Sequence, residues 1–549
     1  MSRDPSHPTE PEYLGDAPSS PSRPRPGRRA PILGLAAVAV VGVVGVGGWA
    51  AMSLMSGGAQ PAEAIPANAI GYVSLDLDPS ASQKIEAVKI LRKFPAVDKE
   101  MKISSQDDLR RWVFDQIQKD GQCKSLDYDK DVAPWIGDRI AMAGVPAEKD
   151  GDSPTPLVAL QVTDQEAASK GITKLSACGG AEGDYGFAFT GDYALISDSQ
   201  RHAKSLATAA GQGSLADDAD FQKWMDRVGE PGIITAYAAP GAMDALADLQ
   251  TGMSQELLNM GGPGDQGMLR PQAEMQRMND QLKDVYKDFK GMAGVVRFEH
   301  GAVEAQVATD SSESLGLKFS AKNRTDVTDL PSGTAAAVAV SLPQDWAQAY
   351  IDIMSKVMGD KQSVDQMLKQ AEAQTGLDLP EDIQKLLGDG VAVALDKDLD
   401  LKTASKDPKQ IPAGLRISGD PAEIRSAIDK VKKALGPEAD SLVVEDGDGV
   451  VALGMKQGYV RDLADNGGLG NDAAFQDVVP DADRAASAFY VDFDAIEDWV
   501  DQGMEMGGQI GPDEKKVLDN IRPLRALGMS SWVEGDGDYA GMRLRLSTD

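Results

Sequence analysis

Apolar positions in this chain follow three patterns: one long uncharged run, short alternating stretches, and stretches where they recur every three or four residues. Alternation is typical of a half-buried strand, and the three-to-four spacing is typical of an amphipathic helix. Residues 71–77 alternate in this way and predict a strand, which Asp78-Pro79 ends. Ile85, Val88 and Leu91 follow at helical spacing. The chain after residue 64 is therefore expected to fold into mixed strands and helices.

The uncharged run covers residues 30–55 and is longer than the roughly 20 apolar residues that cross a bilayer as a helix. Four arginines precede it closely, at positions 23, 25, 28 and 29. The positive-inside rule then places residues 1–29, a Pro- and Ser-rich disordered tail, in the cytoplasm and the rest of the chain outside. The alternative is a cleaved signal peptide, whose apolar region is shorter. The predicted location is the cell membrane, with a single-pass helix.

The exterior portion contains the same succession of elements twice. Gly137 and Gly388 begin similar Gly-Asp strands 251 residues apart, and Phe221 and Phe475 end similar Leu-to-Phe segments 254 residues apart. Several elements in one order at a nearly constant offset indicate a tandem duplication. The predicted fold is α+β: a transmembrane helix followed by two duplicated modules, each on a mixed or antiparallel sheet. The predicted modules cover residues 65–310 and 330–549, with linkers at 56–64 and 311–329.

The net charge of -31 limits the kinds of partner that the chain can bind. A strongly acidic chain repels phosphate backbones and anionic lipid surfaces, so nucleic acid is excluded as a partner. The two cysteines, Cys123 and Cys178, both lie in the exterior portion. An even number outside the cytoplasm favours a disulfide, and the alternative is two separate buried thiols. Three scattered histidines offer no metal-binding spacing, and no cofactor is expected.

No catalytic motif known from its spacing occurs in the chain. Residues 396–400 imitate the start of a calcium loop, but Leu401 stands where glycine is needed and Asp407 where glutamate is needed. Asp138 and Asp389 follow glycine at equivalent places in the two copies, and they are the weak candidates for a shared cleft. The alternative is that each aspartate stabilises a Gly-Asp turn.

The segments 72–79 and 83–95 resemble the opening of domain-of-unknown-function family 3352. The resemblance implies a membrane-anchored protein of high-GC Gram-positive bacteria. Because the family has no assigned activity, it implies no catalytic residue.

Three functions are consistent with the sequence. The first is a non-enzymatic module of the cell envelope that binds a partner protein or envelope component. The second is a protein that binds an apolar ligand or lipid between the two copies. The third is a hydrolase with dispersed acidic residues, which requires two carboxylates to converge in one cleft.

Overall fold

The computed structural model describes residues 59–77, 79–95, 110–111, 114–115, 118, 126–147, 153–178, 185–243, 245, 288–311, 319–358, 361–507, 511–535 and 537–549. The predicted transmembrane segment, residues 30–55, lies outside these ranges. Within them, no helix combines the length and the apolar character needed to span a bilayer.

The described residues form sixteen strands, which fall into two sets of eight. The first set is β1 Gly71–Asp76, β2 Ile136–Val145, β3 Thr155–Val162, β4 Gly186–Thr190, β5 Tyr193–Ser197, β6 Ile234–Ala238, β7 Met292–Glu299 and β8 Ala302–Thr309. The second set is β9 Thr334–Ser341, β10 Gly390–Asp396, β11 Ala413–Ser418, β12 Val443–Gly447, β13 Val450–Gly454, β14 Ser487–Asp492, β15 Leu524–Glu534 and β16 Tyr539–Thr548.

The α-helices of the described ranges connect these strands, and several short 3-10 turns lie between them. The helices of the first half are α1 Ala81–Leu91, α2 Gln165–Cys178, α3 Gln200–Gln212 and α4 Ala219–Val228. Those of the second half are α5 Trp346–Met358, α6 Lys361–Thr375, α7 Glu381–Leu387, α8 Leu401–Ala404, α9 Pro421–Leu435, α10 Gln457–Ala464, α11 Ala473–Val478, α12 Phe493–Glu505 and α13 Pro512–Ile521.

The strand order repeats between the two halves of the chain. The first half runs β4-β5-β3-β2-β1-β6-β7-β8, and the second runs β12-β13-β11-β10-β9-β14-β15-β16. The two orders therefore correspond strand by strand, from β9 and β1 to β16 and β8. The isolated bridges Pro66↔Ser214 and Pro331↔Gly468 also recur at corresponding places.

The predicted fold class is wrong in its central feature. Two modules on separate sheets were expected, but β8 pairs with β16, so the described strands form one continuous sixteen-stranded sheet in which neighbouring strands are antiparallel. Alternating apolar residues reveal a strand but not which strand lies beside it. The last strand of each half would otherwise be an edge with unpaired backbone groups, and joining the two edges satisfies both.

One face of this sheet, here called the inner face, packs against α4 and α11. Each of these helices is capped by an aspartate, since Asp218 accepts from the Phe221 N–H at 2.8 Å and Asp472 from the Phe475 N–H at 2.9 Å. The capped turn places the phenylalanine in the core. Phe221 meets Tyr237 edge-on at 5.1 Å between ring centroids, and Phe475 meets Tyr490 in the same way at 5.2 Å. The duplicated sequence thus builds a duplicated core.

A buried ionic cluster lies on the inner face where the two halves join. Glu304 of β8 is 1% exposed and stands opposite Arg297 of β7 on one side and Arg545 of β16 on the other. Its carboxylate accepts from Arg297 Nε at 2.8 Å and from Arg545 Nη1 at 3.0 Å. The single acid therefore bridges a strand of its own half and a strand of the other half.

The neighbouring cross-strand pair extends the cluster. Arg543 of β16 stands opposite Gln306, whose amide oxygen accepts from Arg543 Nη2 at 2.7 Å. Asp481 lies 3.0 Å from Arg543 Nη1 and also pairs with Arg484, whose guanidinium stacks 4.0 Å from the ring centroid of Trp532. Burial lowers the pKa of Arg543, and Glu304 and Asp481 oppose this effect. Each buried charge in this cluster therefore needs a neighbour of opposite charge to offset the cost of its burial.

Glu304→Gln is expected to destabilise the protein by about 3–5 kcal/mol, because it leaves buried guanidinium groups without their carboxylate. The matched control is Glu299→Gln, at a partly exposed residue that also lies near Arg297; it should cost about 0–1 kcal/mol. Chemical denaturation of both variants measures the difference. Equal midpoints for the two variants would show that the cluster does not hold the halves together.

Candidate functional site

The structure does not bring the two predicted cleft residues together. Asp138 lies in β2, and Asp389 lies directly before β10. Eight strands separate β2 from β10 in the sheet order. At about 4.8 Å per strand, the two aspartates are about 40 Å apart.

Each aspartate has its own local surroundings. The Asp138 carboxylate lies 3.5 Å from Arg110 Nη1, and its backbone N–H donates to Gln161 Oε1 at 3.0 Å. Asp389 follows Gly388, which has φ of +56° and whose added Cβ would lie 2.1 Å from the Ser418 carbonyl oxygen. Gly388 is therefore required for the close approach of the chain to β11.

The other predicted residues add no site. Cys123 lies outside the described residues, as does the side chain of Cys178, so the disulfide stays a prediction. In the segment that resembles a calcium loop, Asp400 caps α8 by accepting from the Thr403 N–H at 3.0 Å. Among the residues described by the structure, no three His, Cys, Asp or Glu side chains are grouped so that they could hold a metal ion.

The most unusual surface lies on the opposite, outer face of the second half. Val338, Val340 and Val393 are 52%, 36% and 49% exposed, although β9 and β10 are interior strands. Val338 stands directly opposite Val393 in the sheet register. We call these three residues the valine face. Three neighbouring apolar side chains left exposed on interior strands are a candidate contact surface.

Helix α9 covers the outer face on one side of the valine face. There, Ile424 and Ile428 of α9 pack with Ile417 and Val451 of β11 and β13. Helix α12 contacts β15 and β9, and Trp499 of this helix donates to the Lys397 carbonyl in the loop after β10. The valine face therefore has α9 beside it and α12 near the Asp396 end of its strands.

The inner side of the same strands explains why valine stands outside. Ala335, Ala337 and Ala339 of β9 point inward and are at most 3% exposed. The bulk of that core comes instead from aromatic and leucine side chains, including Phe475 and Tyr490. The small residues of β9 are therefore buried, and its large apolar residues are exposed.

Two half-buried carboxylates lie near the first residue of β9, and they test the hydrolase hypothesis. Burial raises the pKa of both Asp396 in β10 and Asp492 in β14. Raised carboxyl pKa values are found at acid–base sites. However, Asp396 already accepts from the Asp398 N–H at 2.9 Å, and Asp492 from the Asp494 N–H at 3.0 Å. Both carboxylates thus stabilise the turns that follow their strands.

The sequence predicts the strand after Gly388, which carries Val393, but not the valine face itself. Its signal is the alternation of alanine with valine from residue 337 to 340. That alternation shows two unlike faces, but the pattern alone assigns the larger residue to the core. The alanine side is the buried one, because Phe475 of α11 and Tyr490 of β14 pack on that side.

The chain belongs to a family described as protein of unknown function (DUF3352), whose model matches residues 33–410. This range is more than half of the 549 residues and includes all three positions of the valine face. The family predicted from the opening segment is therefore confirmed. No curated protein and no solved structure matches the chain.

Asp396→Asn is expected to stabilise the protein at pH 7. Its folded pKa is raised above the ordinary 3.8, so the ionised form costs stability that is recovered as pH falls through the raised value. Asparagine removes the charge and keeps an oxygen for the Asp398 N–H. The melting temperature of the variant should exceed that of the wild type at pH 7, and the gap should close towards pH 4.

The control substitution, Asp400→Asn, is expected to change the stability at pH 7 in the opposite direction. Hydrogen bonds from Thr403 lower the pKa of Asp400, so Asp400→Asn should destabilise at pH 7, with a gap that closes only below 3.8. A lower melting temperature for Asp396→Asn than for the wild type at pH 7 would contradict the burial argument.

Proposed function

We propose that this chain is a non-enzymatic binding protein of the cell envelope that contacts its partner through the valine face. The observation that carries the proposal is the exposure of Val338 and Val393, a directly opposed apolar pair on interior strands. Covering such side chains removes apolar surface from water, at about 25 cal/mol per Å². A partner that supplies this cover gains affinity at that place.

The proposed location is the outer side of a membrane, with residues 30–55 as a single-pass anchor. Its support is the absence of any charged residue in that run and the four arginines directly before it. The net charge of -31 favours a soluble, self-repelling exterior portion.

The second candidate is binding of an apolar small ligand or lipid on the same face. Its support is the exposed apolar surface of the three valines, to which exposed methionines elsewhere on the second half, Met367, Met504 and Met506, add further apolar surface. Methionine is flexible and polarisable, so it adapts to apolar ligands of irregular shape. The hydrolase is not proposed, because the backbone bonds that Asp396 and Asp492 accept give both carboxylates a structural role in their turns.

Binding of Nile red, a neutral apolar dye, tests whether the valine face accepts apolar groups. Val338→Asp should reduce the enhancement of dye fluorescence severalfold, because a charge then lies at the centre of the face. Since the side chain is 52% exposed, stability should change by no more than about 0.5 kcal/mol. The matched control is Ile85→Asp in α1, where an isoleucine is 56% exposed in the other half of the chain.

Two results would overturn this proposal. One is equal dye binding by wild type and Val338→Asp. The other is unfolding of Val338→Asp while Ile85→Asp stays folded, which would show that the valine is buried.

Alkaline carbonate extraction tests the proposed anchor. Full-length protein expressed in a bacterial cell should stay in the membrane pellet, and a variant that lacks residues 30–55 should be released. Protease added to intact spheroplasts should cleave the bulk of the full-length chain. Release of the full-length protein by carbonate would remove the single-pass location.

A further inference from the structure

The backbone of the valine face limits how a partner can bind. β9 is paired with β10 on one side and β14 on the other, and β10 is paired with β9 and β11. Their peptide groups are therefore already bonded within the sheet. A partner cannot add a strand here, and recognition has to come from side chains packed onto the face.

The spacing of the valines fits a helix. Val338 and Val340 are two residues apart on one strand, which is about 7 Å, and Val393 lies beside Val338 at about 5 Å. Apolar residues at positions i and i+4 of a helix are about 6 Å apart along its axis. One stripe of such residues can therefore pack on all three valines.

The negative charge of α12 favours a partner helix with basic residues. α12, which contacts β9, carries five acidic residues and no basic one: Asp494, Glu497, Asp498, Asp501 and Glu505. Trp499 and Gln502 hold this helix to the loop after β10, because they donate to the Lys397 and Leu399 carbonyls at 3.3 and 3.4 Å. The acidic helix is thus fixed near the Asp396 end of β10.

This charge also disfavours two other occupants. A second copy would bring two chains of net charge -31 together, each with its own acidic helix. An anionic lipid surface would be repelled for the same reason. A cationic partner gains from the same field, which raises its rate of association.

We infer that the valine face binds a basic amphipathic helix of a partner protein, with its apolar stripe on Val338, Val340 and Val393 and its lysine or arginine residues towards α12. This inference rests on the proposed function and names the chemistry of the partner.

Fluorescence anisotropy with three labelled 18-residue peptides tests it on the full-length protein in detergent. The first peptide has a leucine stripe at helical spacing and lysine elsewhere, the second replaces the lysines with glutamate, and the third keeps the lysines but replaces the leucines with glycine and serine. The first peptide should bind at least tenfold more tightly than either of the others.

Two variants divide the interaction into its apolar and ionic parts. Val338→Asn, which removes apolar surface without adding a charge, should weaken binding of the first peptide at least tenfold, while Ile85→Asn leaves it unchanged. The triple variant Asp498→Asn, Asp501→Asn and Glu505→Gln changes three exposed carboxylates of α12. It should weaken binding at low salt about fivefold and flatten the salt dependence.

The remaining outcomes overturn the inference in distinguishable ways. Equal binding of the first and third peptides would show attraction by net charge alone, and equal binding of the first and second would exclude the role of α12. Failure of all peptides with Nile red binding intact and sensitive to Val338→Asp would leave the proposed function standing without this partner. Association of the protein with itself, or with neutral phosphatidylcholine vesicles, that Val338→Asp abolishes would assign the face to a second copy or to lipid. Loss of both dye and peptide binding would remove the proposed function as well.

Discussion

Glu304 stands between arginines from both halves of the chain, and the continuity of the sheet depends on how it is compensated. A carboxylate that is 1% exposed is costly to bury unless donors surround it. Arg297 of β7 and Arg545 of β16 supply those donors from opposite sides. The charges that make this burial tolerable are thus the same ones that connect the two halves. Replacing one partner affects both halves together.

Because β8 pairs with β16, the duplicated cores lie on the same face of the sheet. In the register of β8 and β16, Ala305 stands opposite Leu544, with Glu304–Arg545 on one side and Gln306–Arg543 on the other. The pairs flanking this centre each join an acidic or amide side chain of the first half to an arginine of the second. The duplicated strands have therefore diverged to complementary chemistry where they meet. A continuous sheet follows, with α4 and α11 on its inner face.

The outer face of the second half carries the valine face. The inner side of β9 is filled by aromatic residues from neighbouring elements, so alanines suffice there and the valines of the strand point outward. The valine face lies beside α9, and the acidic helix α12 lies near the Asp396 end of its strands. Near its Thr334 end, Asp396 and Asp492 each accept one backbone N–H bond from the turn that follows its strand.

The sequence by itself determined the elements, the duplication and the family, because these depend on local periodicity and on residues close together in the chain. The strand predicted over residues 71–77, for example, occurs as β1 Gly71–Asp76. Only the tertiary structure decided that β8 joins β16, that Asp138 and Asp389 lie far apart, and that Val338 faces outward. The pairing of β8 with β16 joins residues more than two hundred positions apart, and the choice of buried face depends on what packs against each side. Neither appears in the alternation of apolar and polar residues along one strand.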